Sequence, residues 1–390
     1  MKKYLLIILS LFTLLFNITV YSKEIEEIEV YLKNEFSGDI SSKSAILIEP
    51  STKTILFEKE STMKLPPASM TKIMTMILVC DELKANNIKL TDEFITSKYA
   101  ESMGGTQIYL EENEKMSVED LLKSVAIASA NDAAVVLAEG ISGSCEQFVE
   151  RMNNKGKELG FKNSNFVNPN GLPENNHYSC AYDMALAGCY LINNHSDIIL
   201  KYTSLYEDYV REGTGKKFWL VNTNKLIRID GIDGLKTGRT DEAGYCITCT
   251  MNKNNVRMIS VVMGCESIDN RNSDTLSLLN YGVNNFELSK IYSQGDVISQ
   301  NKNILFRPKN FNFVIEKDIY ILKNRNCEID NIKEEIVIYN KEYNDLEVGI
   351  INIYIDDILI DSSKIILQKP VKKANIFMLL VDFIEMIFYI

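Results

Sequence analysis

Three short polar motifs in fixed order constrain this chain more than any other feature: Ser69-Met70-Thr71-Lys72, Ser129-Ala130-Asn131 and Lys236-Thr237-Gly238. Each falls in a different local setting. Pro66-Pro67 ends an extended segment, and Ile73, Met76, Ile77 and Cys80 recur at helical spacing, so a helix is expected from near Ala68 with Ser69 in its first turn. Ser117-Val118-Glu119-Asp120 reads as a capping signal, and the helix carrying Leu121, Leu122, Val125 and Ile127 breaks between Ala128 and Asn131. A second helix, Asp132 to Glu139, is expected to stop at Gly140, and another runs from about Ala181 to Leu191. Lys236 heads a strand. Behind it, Gly244 to Thr250 and Val256 to Met263 read as an antiparallel pair, and a helix over Thr275 to Gly282 closes the region.

The first motif has a chemical reading of its own. A serine hydroxyl is a weak nucleophile and needs a base in reach, which a lysine one helical turn later supplies on the same face. Lysine acts as a base only when neutral, so burial and a second cation must lower its pKa, and Lys236 is suited to that part. At a helix start the backbone N–H of Ser69 can also face a developing oxyanion, with a second donor from an edge strand. Ser-x-x-Lys alone recurs by chance; the three motifs in order, each in its own setting, carry the argument.

Composition narrows the partners. The net charge of -11 and the absence of a sustained basic run exclude a nucleic-acid partner. Met1-Lys2-Lys3 followed by the apolar run Tyr4 to Phe16, with Val20-Tyr21-Ser22 as a cleavage site, reads as a secretory signal over residues 1–22, so the body is exported. The eight cysteines are scattered; the one close pair, Cys246 and Cys249, falls on opposite faces of a strand, and most are expected to be small buried hydrophobes. No metal site or cofactor is expected: no second ligand pair accompanies Cys246 and Cys249, Asp356-Asp357 reads as a solvated turn, and no Gly-rich phosphate loop occurs. The two histidines, His177 and His195, sit in no triad-like motif and are expected in loop or surface roles.

Ser44 to Glu49 and Thr54 to Glu60 flank a turn and suggest a hairpin ahead of the first motif, and Asn168 to Tyr178 is a loop rich in Asn, Pro and Gly. From about Phe286 the chain holds β-type segments, among them Phe311 to Ile315, Glu335 to Tyr339 and Val348 to Ile355, which implies a separate all-β domain. Ala374 to Ile390 is strongly apolar, with Asn375, Asp382, Glu385 and Tyr389 on one narrow stripe: an amphipathic helix suited to the membrane interface, Lys372 and Lys373 lying beside anionic head groups.

Pro67-Ala68-Ser69-Met70-Thr71-Lys72-Ile73-Met74-Thr75 resembles the nucleophile motif of the low-molecular-mass penicillin-binding proteins, the D-Ala-D-Ala carboxypeptidases. Gly104 to Gln107, Asn131-Asp132-Ala133, Gly171-Leu172, His177-Tyr178-Ser179 and Asp233 to Gly238 are similar to other segments of that family, and the likeness spans residues 40–285. The resemblance implies an α/β (α+β), β-lactamase/transpeptidase-like catalytic domain with an antiparallel sheet and a helical subdomain over residues 23–285. A small all-β sandwich over 286–368 and a membrane-anchoring helix over 369–390 would follow.

By the same resemblance Ser69 is the acylated nucleophile, Lys72 its base, and Ser129 the proton relay to the departing D-alanine. Asn131 holds the peptide amide. Lys236 and Thr237, in the Lys-Thr-Gly238 motif, bind the terminal carboxylate; Arg271 supports it, and Ser69 and Arg239 supply the oxyanion N–H groups. The implied partners are the peptidoglycan stem peptide and, as covalent inhibitors, β-lactams. Ala130 departs from the glycine usual there, which should alter packing and leave the chemistry. An endopeptidase cutting cross-links would use the same step, whereas a β-lactamase needs a loop carboxylate to position water, and Glu174 in Asn168 to Tyr178 lies in an unlike setting.

Overall fold

The computed structural model describes residues 36–329, 331–340, 342–343, 345–355 and 357–388; the signal segment, Asp356 and Tyr389 lie outside them. Two compact units make up the chain, one over residues 35–286 and one that includes 287–390.

The first unit is built on a five-stranded antiparallel sheet in the order β2-β1-β5-β4-β3, where β1 is Ser44–Ile48, β2 Ile55–Lys59, β3 Ile232–Thr240, β4 Gly244–Lys253 and β5 Val256–Cys265. β1 is buried along its whole length, as is nearly all of β5, so both faces of the sheet are covered. Gly188, in helix α5 (Ala181–Thr203), lies against Ile259 and Thr248, whereas Gly282, in α6 (Ile268–Asn285), lies against Met258 and Leu47. Met258 and Ile259 are adjacent on one strand, and adjacent strand residues face opposite ways. The two helices therefore cover opposite faces, giving three layers.

The remaining helices of this unit are α1 (Lys72–Lys84), α2 (Val118–Ile127), α3 (Asn131–Ser142) and α4 (Cys145–Glu158). Every residue of α1 from Lys72 to Cys80 is buried, the mark of a helix surrounded by others. Ser117 caps α2 by accepting a hydrogen bond from the Asp120 N–H at 3.1 Å, as its capping signal implied.

Several element limits differ from the sequence expectation: β3 begins at Ile232, so Lys236 lies inside the strand and not at its head, and α6 begins at Ile268 and ends at Asn285 where Thr275 to Gly282 was expected. A 3-10 turn over Ala68–Thr71 precedes α1. α3 passes through Gly140, where a Cβ would collide with the Phe94 ring, and ends at Gly143 in the left-handed conformation, φ 80°. α5 continues well beyond Leu191, kinking at His195 (φ -140°) where the run Asn193-Asn194-His195-Ser196 suggested a terminus.

The second unit holds the five-stranded antiparallel sheet β7-β8-β12-β11-β10 and the two-stranded ladder β6-β9. Here β6 is Phe286–Tyr292, β7 Val297–Lys302, β8 Asn310–Ile315, β9 Ile319–Asn324, β10 Ile332–Ile338, β11 Glu347–Ile355 and β12 Ile358–Leu367. Phe313, Ile321, Ile351 and Ile365 share its core.

The last helix, α7, runs over Ile376–Phe388. Its polar stripe divides: Asn375 caps the helix through the Met378 N–H, Glu385 is exposed, and Asp382 is buried against Arg307 at 2.7 Å and Lys309 at 2.5 Å. The side left to solvent carries Ile376, Phe377, Leu380 and Phe383. Among the described residues no helix is long and apolar enough to cross a membrane.

Candidate active site

The three motifs meet where the 3-10 turn, the break between α2 and α3, and β3 come together. Ala68 takes a left-handed φ of 48°, a conformation that costs a residue with a Cβ about 1–2 kcal/mol and turns the chain sharply ahead of Ser69. Two glycines permit the close approach. A Cβ on Gly238, in β3, would lie 2.7 Å from the Pro67 carbonyl oxygen, and one on Gly171 would lie 1.9 Å from the Ala68 carbonyl oxygen. Gly171 also has φ 83°, so strand and loop clamp the serine turn from two sides.

Lys72 is completely buried, and its Nζ lies 3.0 Å from Ser69 Oγ, 2.6 Å from Asn131 Oδ1 and 2.5 Å from the Asn170 carbonyl oxygen. The Asn131 amide donates to the Gly104 carbonyl at 2.7 Å, which orients its oxygen toward Lys72. Two of the three neighbours of Nζ are therefore oxygens that only accept, and the third is a hydroxyl that can donate. An ammonium satisfies all three by donating to each oxygen, and a neutral amine satisfies them by donating to the two acceptors and accepting from Ser69, so the geometry serves both sides of a proton transfer. The electrostatics favour the neutral form: burial, and secondarily the charge of Lys236, hold Lys72 well below the ordinary lysine range, with Asp132 opposing them. The arrangement can take the proton of Ser69 without an imidazole.

Ser129 is buried with φ 67° and stands two residues before Asn131. Ala130, by contrast, has φ -62° and ψ 123°, a conformation open to any residue, which explains why its methyl group is accommodated. Asp132 anchors the facing loop by accepting from the backbone N–H groups of Ile108 and Leu110.

Lys236 is also buried; its Nζ donates to the Thr237 carbonyl at 3.0 Å, and burial together with the Arg271 charge lowers its pKa to about 7. Thr237 donates to Thr223 Oγ1 at 2.8 Å. Arg271, on α6, is buried with its guanidinium on Asn272 Oδ1 at 2.8 Å and its charge felt by Lys236. Arg239 differs: its side chain is exposed, 3.5 Å from Asp241 and over the Tyr245 ring at 5.3 Å.

Both histidines are buried: His177 lies in the loop, one of the roles expected, whereas His195 lies within α5 and fits neither a loop nor a surface role. His177 Nδ1 accepts from the Val167 N–H and Nε2 lies 2.8 Å from Thr71 Oγ1, so the ring ties the loop to the serine turn; burial, then Lys72, holds it neutral with a pKa near 4. His195 pairs with Asp81 at 2.7 Å on the far part of α5. Cys246 and Cys249 are buried free thiols, as expected, and among the described residues no group of His, Cys, Asp and Glu is arranged to hold a metal. The carbonyl of Asn170 is a site element that sequence reasoning missed, its signal being the turn-forming run Asn168-Pro169-Asn170-Gly171; Gly171 was marked only by its likeness to a family segment, with no role.

A serine beside a buried lysine in a three-layer fold with a separate β domain defines a serine hydrolase of the penicillin-binding, transpeptidase-like class. A family model, D-alanyl-D-alanine carboxypeptidase, matches residues 31–267, and the chain belongs to that family: it is a serine D-Ala-D-Ala carboxypeptidase. The chain is 46% identical over 296 residues to D-alanyl-D-alanine carboxypeptidase DacF of Bacillus subtilis, covering 76% of each. Penicillin-binding protein 5 of Haemophilus influenzae superposes with a TM-score of 0.71 at 29% identity, over 87% of this chain and all of that one (100%). Penicillin-binding protein D2 of Listeria monocytogenes, solved in an ampicillin-bound form, gives a TM-score of 0.57 at 30% identity, over 63% of this chain and 98% of that one.

Proposed function

We propose that Ser69 attacks the amide between the two D-alanines of a peptidoglycan stem peptide, with Lys72 taking its proton, and that water then releases the shortened peptide from the ester on Ser69. The observation that carries this reading is the coordination of Lys72 Nζ, two obligate acceptors and the Ser69 hydroxyl, in a site that disfavours its charge. Ser129 passes a proton to the departing D-alanine nitrogen and Asn131 holds the substrate amide. Lys236 and Thr237, backed by Arg271, bind the terminal carboxylate beside Gly238, and the N–H groups of Ser69 and Arg239 face the oxyanion.

Residues 23–285 form the catalytic domain in this reading, 286–368 the β sandwich and 369–390 the anchor; the division between the compact units after residue 286 supports the first of the two internal limits. The secretory signal over residues 1–22 supports action on the wall outside the cytoplasm. Asp382, neutralised by Arg307 and Lys309, leaves the exposed side of α7 apolar, which supports contact with the membrane interface.

The test is direct. The purified protein should release D-alanine from a peptide ending in D-Ala-D-Ala and gain the mass of one penicillin on Ser69. Absence of the adduct on the Ser69 peptide defeats the assignment. A pH profile tests Lys236. With its pKa near 7, the free site holds the cation below that pH and loses it above, so the carboxylate finds its partner progressively less often. KM should rise from about pH 7 upward, by up to about tenfold per pH unit, with kcat changing less. A KM flat across that range, together with an unchanged KM in Lys236→Met, removes Lys236 from carboxylate binding.

A further inference from the structure

The single tryptophan of the chain is on the surface. Trp219 belongs to a two-stranded hairpin, Glu207–Val210 paired antiparallel with Phe218–Val221, and stands directly opposite Tyr209. Residues paired in this way share a face. On the inner face Val210 and Leu220 are buried and Asp208 pairs with Lys123 of α2, so Trp219, 54% exposed, and Tyr209, 36% exposed, stand together on the outer one. Lys217 Nζ lies 3.8 Å over the Tyr209 ring, and the Trp219 indole N–H donates to Glu207 at 3.2 Å. Two flat rings with a donor and an acceptor at their margin suit a pyranose, whose C–H face packs on the π surface while its hydroxyls bond at the edge.

The hairpin is continuous with the active site. Its second strand runs on from Trp219 to Thr223, whose hydroxyl accepts from Thr237, and four residues of chain span at most about 14 Å. At the end of the first strand, Arg211 donates to the carbonyls of Ile108 and Tyr109, in the loop that Asp132 anchors. A stem pentapeptide spans about 17 Å when extended, so a glycan strand can lie on the hairpin while one of its peptides is in the site. The cations of the hairpin are matched, Arg211 with Glu114, Lys216 with Glu111 and Lys217 with Glu212, which suits a neutral ligand. The N-acetylated amino-sugar strand of peptidoglycan carries no charge of its own. We propose that the outer face of the hairpin is a saccharide platform that holds this strand on Trp219 and Tyr209. The inference rests on the assignment of Ser69 above and adds a second binding site to it.

With one tryptophan in the chain, its emission reports this face alone. Titration of the purified protein with the β-1,4-linked tetramer of N-acetylglucosamine should shift that emission along a saturable curve, with Kd on the order of 1 mM for two stacked rings and few hydrogen bonds. Tyr209→Ala should raise Kd about fivefold. No saturable shift in the wild type, or an unchanged Kd in the variant, overturns the inference. So does a response to poly(glycerol phosphate) and none to the tetramer, which assigns the face to an anionic polymer. Turnover supplies a second reading: Trp219→Ala should lower kcat/KM about fivefold for D-alanine release from a peptide still attached to its glycan, and leave the free peptide and the rate of penicillin acylation unchanged. An equal fall on both substrates overturns the inference, since the hairpin would then act by shaping the site. D-alanine release from the free peptide upholds the catalytic assignment whatever the titration shows; release from neither substrate overturns that assignment, and the titration still decides the platform.

Discussion

Replacement of Lys72 by alanine should lower kcat/KM for D-alanine release, and the rate of penicillin acylation, by about a thousandfold or more, the range spanned by a general base that also positions its nucleophile. The buried Nζ touches Ser69 Oγ, Asn131 Oδ1 and the Asn170 carbonyl, so its loss removes the base and unfastens two motifs at once. Lys72→Arg separates the two effects. A guanidinium keeps the charge and the donors but does not give up a proton at usable pH. If charge alone mattered, arginine would restore activity; the neutral-amine account requires that it does not. Acylation rates of both variants, followed by mass spectrometry with penicillin, decide the matter, and arginine at near wild-type rate would refute a basic role for Lys72.

Gly171→Ala should be the most damaging single methyl group in the molecule. The added Cβ would meet the Ala68 carbonyl oxygen at 1.9 Å, with Ser69 N at 3.0 Å, and φ 83° forbids an easy retreat. Overpacking against backbone and a left-handed non-glycine residue together cost about 2–5 kcal/mol. For a domain of this size that lowers Tm by about 10 °C. Activity should fall further than stability, because the atoms that must yield carry Ser69 itself. A thermal melt and a penicillin-binding assay on the same preparation check both; a variant with wild-type Tm and acylation rate would show that the loop does not brace the turn.

The parts of the site that the sequence discloses are those whose chemistry requires particular side chains. Ser69, Lys72, Asn131 and Lys236 can be found in the chain because the roles proposed for them, nucleophile, base, amide holder and carboxylate partner, each admit few residue types. The Asn170 carbonyl cannot, since any residue supplies one; only the folded loop shows which carbonyl reaches Lys72. Asp132 is hidden for a related reason: its partners are the backbone N–H groups of Ile108 and Leu110, which no pattern of side chains records. The succession of helices and then strands was legible from the change from helical to alternating periodicity, and the fold only from the family likeness, while the length of α5 was not legible, because its polar run at Asn193 to Ser196 imitates a terminus. Spacing likewise located Asp382 on a polar stripe of α7 but gave no hint of Arg307 and Lys309, which lie far away in sequence.

Ala68, immediately before Ser69, and Ser129, the proposed proton relay, take φ of 48° and 67°, conformations that glycine would adopt more cheaply. Glycine would also flex. A side chain at each position narrows the routes by which the turn can relax, so the enzyme exchanges a little thermodynamic comfort for stiffness at two joints. Its readiness to react is set when the chain folds, before any peptide arrives.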